Sequence, residues 1–148
     1  MQPGRRHQAR IRFACLVSFK PHRRPVAYTY PTMPFDTPLT IERLPGKAPG
    51  TVILRLTGPI TLTTAAPLRA QFRDFDPPLL TILDLSGVPY LDSAGMSEII
   101  GHEVYCRDKR ARLVLAGVSP RVLQMLKVTR LDRVLTLKAT VEEAEAGA

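Results

Sequence analysis

The stretch Leu79–Gly95 reads Leu-Leu-Thr-Ile-Leu-Asp-Leu-Ser-Gly-Val-Pro-Tyr-Leu-Asp-Ser-Ala-Gly and brings a carboxylate and a hydroxyl side by side, Asp92 and Ser93. An apolar run passes through a Gly-Pro loop into a segment with helical spacing. The pair therefore falls at a helix start. The first N–H groups of a helix have no internal partners, and that end carries a partial positive charge. Either side chain can cap it, which is worth about 1 kcal/mol. The same field favours a phosphate, so a serine placed there can be modified, or its phosphate held or read. A phosphate on Ser93 would add about −1.5 to −2 charge units. The helix start would favour that charge, and neighbouring Asp92 would oppose it. Gly95 weakens the first turn by about 1 kcal/mol relative to alanine. It also lets another backbone approach closely. A serine at a helix start beside a position without a side chain suits a docking and modification surface.

Other chemistry finds little footing. His7 and His22 lie near the N-terminus, and His102 falls within the second helix, where it reads as a solvated surface residue. Gly87 and Gly95 are too far apart for a phosphate loop and lack the following lysine. No Ser-His-Asp arrangement follows from spacing. Asp84 and Asp92 can be imagined as paired carboxylates, but the simpler reading has Asp84 packing at a strand end and Asp92 capping a helix. Cys15 and Cys106 have neither metal-ligand nor paired-cysteine spacing, as expected for reduced thiols in a cytoplasmic protein. No catalytic residue, cofactor or metal is expected, so the chain does not read as an enzyme.

The elements that must position Ser93 follow from periodicity and punctuation. Phe35–Leu44 is a first strand, marked as an edge by Pro38. Pro45-Gly46 and Pro49-Gly50 bracket a turn. Thr51–Thr57 alternates, with Val52, Leu54 and Leu56 on one face and Ile53 and Arg55 on the other, and pairs antiparallel with the first strand. Thr61, Thr63 and Thr64 are candidate caps for a helix that runs to Arg73 with Leu68 and Phe72 on one face. Leu79–Leu85 is a central strand buried on both faces. The Ser93–Arg107 helix carries an apolar stripe of Met96, Ile99, Ile100 and Val104. Arg112–Ala116 is a strand ended by Gly117. Ser119-Pro120 opens a helix to Lys127, with Val122, Leu123 and Leu126 inward. Val134–Leu137 is a last short strand, and Thr140–Glu143 is a capping box opening a terminal helix. The order β-β-α-β-α-β-α-β-α defines a single α/β domain with a mixed, mostly parallel sheet and about four helices.

The chain has 148 residues and a formal net charge of +8. That charge is unevenly placed. Residues 1–33 hold Arg5, Arg6, Arg10, Arg12, Lys20, Arg23 and Arg24 and no acid, which leaves the remainder at +1. The body is therefore a poor match to nucleic acid. Residues 1–33 lack steady periodicity and read as a disordered basic extension. Three roles stand for it: a basic arm for nucleic acid or anionic lipid, a targeting segment, or no native segment at all, with translation starting at Met33. The domain proper is 34–148. No apolar run reaches the roughly 18 residues of a membrane span.

The body resembles the STAS domains, and within them the bacterial anti-sigma factor antagonists. The resemblance rests on Leu-Asp-Leu-Ser-Gly-Val-Pro-Tyr-Leu-Asp-Ser-Ala-Gly-Met at 83–96. Leu-Val-Leu-Ala-Gly-Val-Ser-Pro at 113–120, Val-Thr-Arg-Leu-Asp-Arg-Val-Leu at 128–135 and Thr-Val-Glu-Glu-Ala at 140–144 support it. It implies a partner switch. The unphosphorylated antagonist binds an anti-sigma factor that is also a serine kinase, and sigma factor is released. Phosphorylation ends the interaction, and a serine phosphatase resets it. Ser93 matches the phospho-acceptor, and Asp92, Ala94, Gly95, Met96 and Ser97 are the neighbours expected to meet the partner. Three positions depart from the family pattern. Ala94 replaces a second serine, Gly58–Thr61 replaces an acidic pair, and Arg130 stands where glycine is common. Two other roles remain open: a non-phosphorylated STAS scaffold in a transporter or other regulatory complex, and a nucleic-acid binder acting through the basic extension.

Overall fold

The computed structural model describes residues 37–74 and 76–147. The basic extension lies outside the described residues. Five strands, β1 (Thr40–Pro45), β2 (Thr51–Thr57), β3 (Leu80–Gly87), β4 (Arg112–Ala116) and β5 (Thr136–Lys138), form one sheet in chain order. The β1–β2 pair is antiparallel and the other pairs are parallel, so β1 is an edge and β3 is central. Four helices connect or follow them: α1 (Ala66–Arg73), α2 (Ser93–Asp108), α3 (Pro120–Val128) and α4 (Val141–Ala146). The mixed α/β order read from the sequence is the one observed.

Alternation along the strands builds two cores. Leu54 and Leu56 of β2, Leu83 and Leu85 of β3, and Leu113 and Leu115 of β4 face α1, α2 and α3. Ile53, Leu80, Ile82, Val114 and Ala116 face the other way, toward Ala144 of α4. Each fully buried leucine or isoleucine contributes about 1.5–3 kcal/mol. The double coverage explains why β3 is a continuous apolar run. The run starts one residue later than its composition indicates, because Leu79 is 71% exposed.

Local rules account for most boundaries. Ser119 accepts from the Val122 amide and caps α3. Thr140 accepts from the Glu143 amide and caps α4. Glu143 reaches back to the Ala139 amide at 3.1 Å, one residue before the cap. The threonines before α1 do something different from capping it. The N-cap is Ala65, in helical conformation and without a side-chain bond. Thr64 instead accepts from the Thr61 amide at 2.9 Å and donates to the Pro59 carbonyl at 2.6 Å, closing the loop after β2 on itself. The last strand is shorter than expected because Leu131–Arg133 forms a 3-10 turn first. Arg130 enters that turn with φ of +59°, the left-handed conformation that favours glycine.

The apolar stripe of α2 is rotated from the expected one. Met96 and Ile99 are buried and Ile100 is half-buried, but Val104 is 62% exposed. His102, Glu103 and Cys106 take the inward positions. His102 is therefore a core residue rather than a solvated one. Its ring stacks on Phe72 of α1, with centroids 3.8 Å apart and planes 4° from parallel. Burial holds its pKa down at about 4, so it is neutral. Burial and nearby Glu103 push the Cys106 thiol up to about 11, which suits an inert buried cysteine.

Candidate functional site

Two loops at the carboxyl ends of β2 and β3 hold the start of α2. The Gly58 amide donates to the Gly87 carbonyl at 3.0 Å, the Ile60 amide to Tyr90 at 3.0 Å, and the Asp92 amide to Ile60 at 3.1 Å. Ile60 and Leu91 thus form a short parallel bridge beyond the sheet. Both are essentially fully buried, so the platform beneath the helix start is rigid and dry.

Asp92 is the N-cap, in extended conformation. Its Oδ1 accepts from the Gly95 amide at 2.9 Å. Its Oδ2 accepts from the Leu62 amide at 3.0 Å. Both carboxylate oxygens are therefore committed, one to the helix and one to the neighbouring loop. This settles which of the two adjacent residues caps α2. Ser93 is the first helical residue, exposed, and its hydroxyl makes no hydrogen bond among the described residues. Its carbonyl accepts from the Ser97 hydroxyl at 2.8 Å. Ser97 is exposed one turn along, and Ala94 is half-buried between them.

Gly95 and Met96 point away from this surface. A Cβ on Gly95 would lie 2.5 Å from the Ile60 carbonyl oxygen and 2.7 Å from Ile60 Cγ2. The close backbone approach expected at this glycine is real, but the chain's own β2 loop makes it. Gly95 is therefore not open to docking. Met96 is buried, with its sulfur 3.7 Å from the Thr129 hydroxyl. The accessible face comprises Ser93, Ser97 and Ala94, flanked by Leu62, which is 73% exposed. In the sequence Leu62 carries little signal of such a role, being one apolar residue in a threonine-rich loop.

Asp84 lies apart from Asp92. It is buried near the end of β3, where Oδ1 accepts from the Ser86 amide at 3.1 Å and the Ser86 hydroxyl at 2.7 Å. Its Oδ2 accepts from Arg55 at 3.3 Å. Burial by itself would raise its pKa, but the Ser86 and Arg55 contacts outweigh it and hold the carboxyl below its usual range. The two aspartates serve separate structural tasks and do not form an acid/base pair.

A family model of the STAS domain matches residues 46–144. The chain belongs to the STAS domain family. An anti-sigma-B factor antagonist from Listeria monocytogenes is 32% identical over 56 residues, covering 38% of this chain and 49% of that protein. The chain thus matches about half the length of this curated relative. The solved structure of a sulfate transporter family protein from Wolinella succinogenes superimposes with a TM-score of 0.60 at 25% identity, over 66% of this chain and 83% of that one. The Bacillus cell fate determinant SpoIIAA in its phosphorylated form superimposes with a TM-score of 0.57 at 20% identity, over 71% and 96%. No helix among the described residues is long and apolar enough to cross a membrane.

Proposed function

We propose that this chain is an anti-sigma factor antagonist whose partner binding is switched by phosphorylation of Ser93. Unmodified, it binds an anti-sigma factor that is also a serine kinase. The kinase then transfers the γ-phosphoryl group of ATP: the bond from Ser93 Oγ to phosphorus forms, ADP leaves, and the hydroxyl proton passes to the kinase. A serine phosphatase reverses the modification.

One observation carries the reading. Ser93 presents an unengaged hydroxyl at the first position of a 16-residue helix whose cap is already supplied by Asp92. Phosphorylation therefore displaces no hydrogen bond of that side chain among the described residues. The helix start stabilises the new charge, and the adjacent carboxylate is held in place by Gly95 and Leu62. The fold is left nearly unchanged, whereas a partner packed on Ser93, Ser97 and Leu62 meets a bulky dianion. The name of the Listeria relative and the fold shared with a protein solved in phosphorylated form support the same reading. The likeness to a sulfate transporter family protein favours a second one, a STAS scaffold that is not phosphorylated.

Incubation with candidate anti-sigma kinases and ATP, followed by intact-mass measurement, separates the two. One phosphate is expected on the wild-type chain and none on Ser93→Ala. Ser93→Asp is expected to weaken partner binding about tenfold or more, while Ser93→Ala retains it. A wild-type chain that binds a cognate kinase yet takes no phosphate overturns the switch and leaves the scaffold reading.

A further inference from the structure

We propose that the cleft between α1 and α2 is a second binding site, for a small flat carboxylate. The cleft has a volume of about 400 Å³, within the range of small-molecule sites. Its floor is the stacked pair Phe72 and His102, and Tyr105 stands at one end.

The pairing of side chains across the cleft is incomplete in one place. On α1, Arg69 and Arg73 are one turn apart. On α2, Glu98 lies opposite Arg69, and both Nε and Nη2 of that arginine donate to Glu98 Oε1. The next turn of α2 brings Gly101 and His102 to the cleft instead of a second acid. Arg73 is exposed and has no hydrogen bond or ion pair among the described residues. The nearby carboxylate of Asp76 accepts from the Tyr105 hydroxyl at 3.4 Å.

Gly101 supports the same reading independently. A glycine in mid-helix destabilises it, and internal glycines are usually retained where another group comes close. At Gly101 a Cβ would meet nothing within 4 Å. No neighbour among the described residues requires this glycine, and its absent side chain leaves the cleft open beside the His102 ring. His102 is neutral, with its pKa depressed to about 4 by burial, so the floor does not compete with Arg73 for the anion. A flat ring fits over the aromatic floor at Gly101 while its carboxylate pairs with Arg73, as the Glu98 carboxylate pairs with Arg69.

The test is a two-dimensional NMR titration of the full chain with benzoate, with benzamide and acetate as parallel probes. Benzoate is expected to shift the Gly101 amide and signals of Arg73 and Tyr105, with a Kd on the order of 1 mM, reasonable for so small a ligand. Benzamide keeps the ring without the charge, and acetate keeps the charge without the ring. Each should bind about fivefold more weakly or worse. Arg73→Ala, an exposed change that leaves the fold intact, should weaken benzoate about tenfold. Gly101→Leu should fill the cleft, abolish the shifts and raise Tm, since leucine is a far better helix former than glycine. The proposal is overturned if benzoate leaves Gly101 unshifted, if acetate or benzamide binds equally well, or if Arg73→Ala binds as the wild type does.

Discussion

Gly95 and Gly101 lie less than two turns apart on the same helix, and they have opposite surroundings. A side chain at Gly95 would collide with the Ile60 backbone at 2.5 Å, while one at Gly101 would meet nothing within 4 Å. The first glycine serves the fold, letting the loop after β2 lie against the start of α2 and receive the Asp92 amide bond. The second serves no contact among the described residues. The helix start is thus tightly tied, with Asp92 holding both α2 and the Leu62 loop, and only Ser93, Ser97 and part of Ala94 left to a partner. The middle of the helix is open beside Arg73, an arginine with no ion pair among the described residues. One element therefore presents a rigid surface suited to modification and a cavity suited to occupation.

Four measurements would sharpen or break that contrast. The largest effect is expected from pH, through His102 at the floor of the open region. Its folded pKa of about 4 lies below the ordinary histidine value of about 6.5, so the unfolded chain takes up the proton first as pH falls. Stability from this residue is complete above about pH 6.5 and is lost progressively toward pH 4, by on the order of 3 kcal/mol. Urea unfolding across that window should show the slope, and His102→Phe should remove it. Gly95→Val comes next and should destabilise the fold by about 2 kcal/mol through overpacking against Ile60. If chemical denaturation finds it neutral, the tightly tied account of the helix start is wrong. Asp92→Ala should lose about 1.5 kcal/mol, because it removes the α2 cap and the anchor of the Leu62 loop together. Asp92→Asn, read by the same melts, should recover part of that loss. Gly101→Ala is the smallest and has the opposite sign, a gain of about 1 kcal/mol in thermal or urea melts. A loss there would mean that the space beside Gly101 is not open in solution.

Much of the fold was legible because it depends on signals only a few residues apart. The alternation of Val52 to Leu56, the caps at Ser119 and Thr140, and the turns at Gly46–Gly50 and Gly117 all appear where local chemistry puts them. The misplaced assignments share a cause. Val104 fits an apolar stripe by spacing, yet α2 turns His102, Glu103 and Cys106 inward because Phe72 offers the histidine a flat partner. Hydropathy ranks valine above histidine and cannot register a ring stack between two helices. The threonines before α1 are good caps in isolation, but Pro59 and Thr61 claim the hydroxyl of Thr64 first. Leu79 belongs to the apolar run by composition and is left outside the sheet, beyond the reach of either core.

The sequence by itself determined the order of elements, the family resemblance, and the placing of an Asp-Ser pair at a helix start. Each of these rests on residue type and short-range spacing. Only the tertiary structure decided which of the pair is the cap and which is left exposed. It also decided that Gly95 is filled from within, and that Arg73 faces a glycine where Arg69 faces a glutamate. Those outcomes depend on segments about thirty residues apart in sequence meeting across loops and helices, as Leu62 meets Asp92 and Arg69 meets Glu98. Chain-local rules carry no information about such distances, because packing of the two cores sets how α1, α2 and the loop after β2 come together.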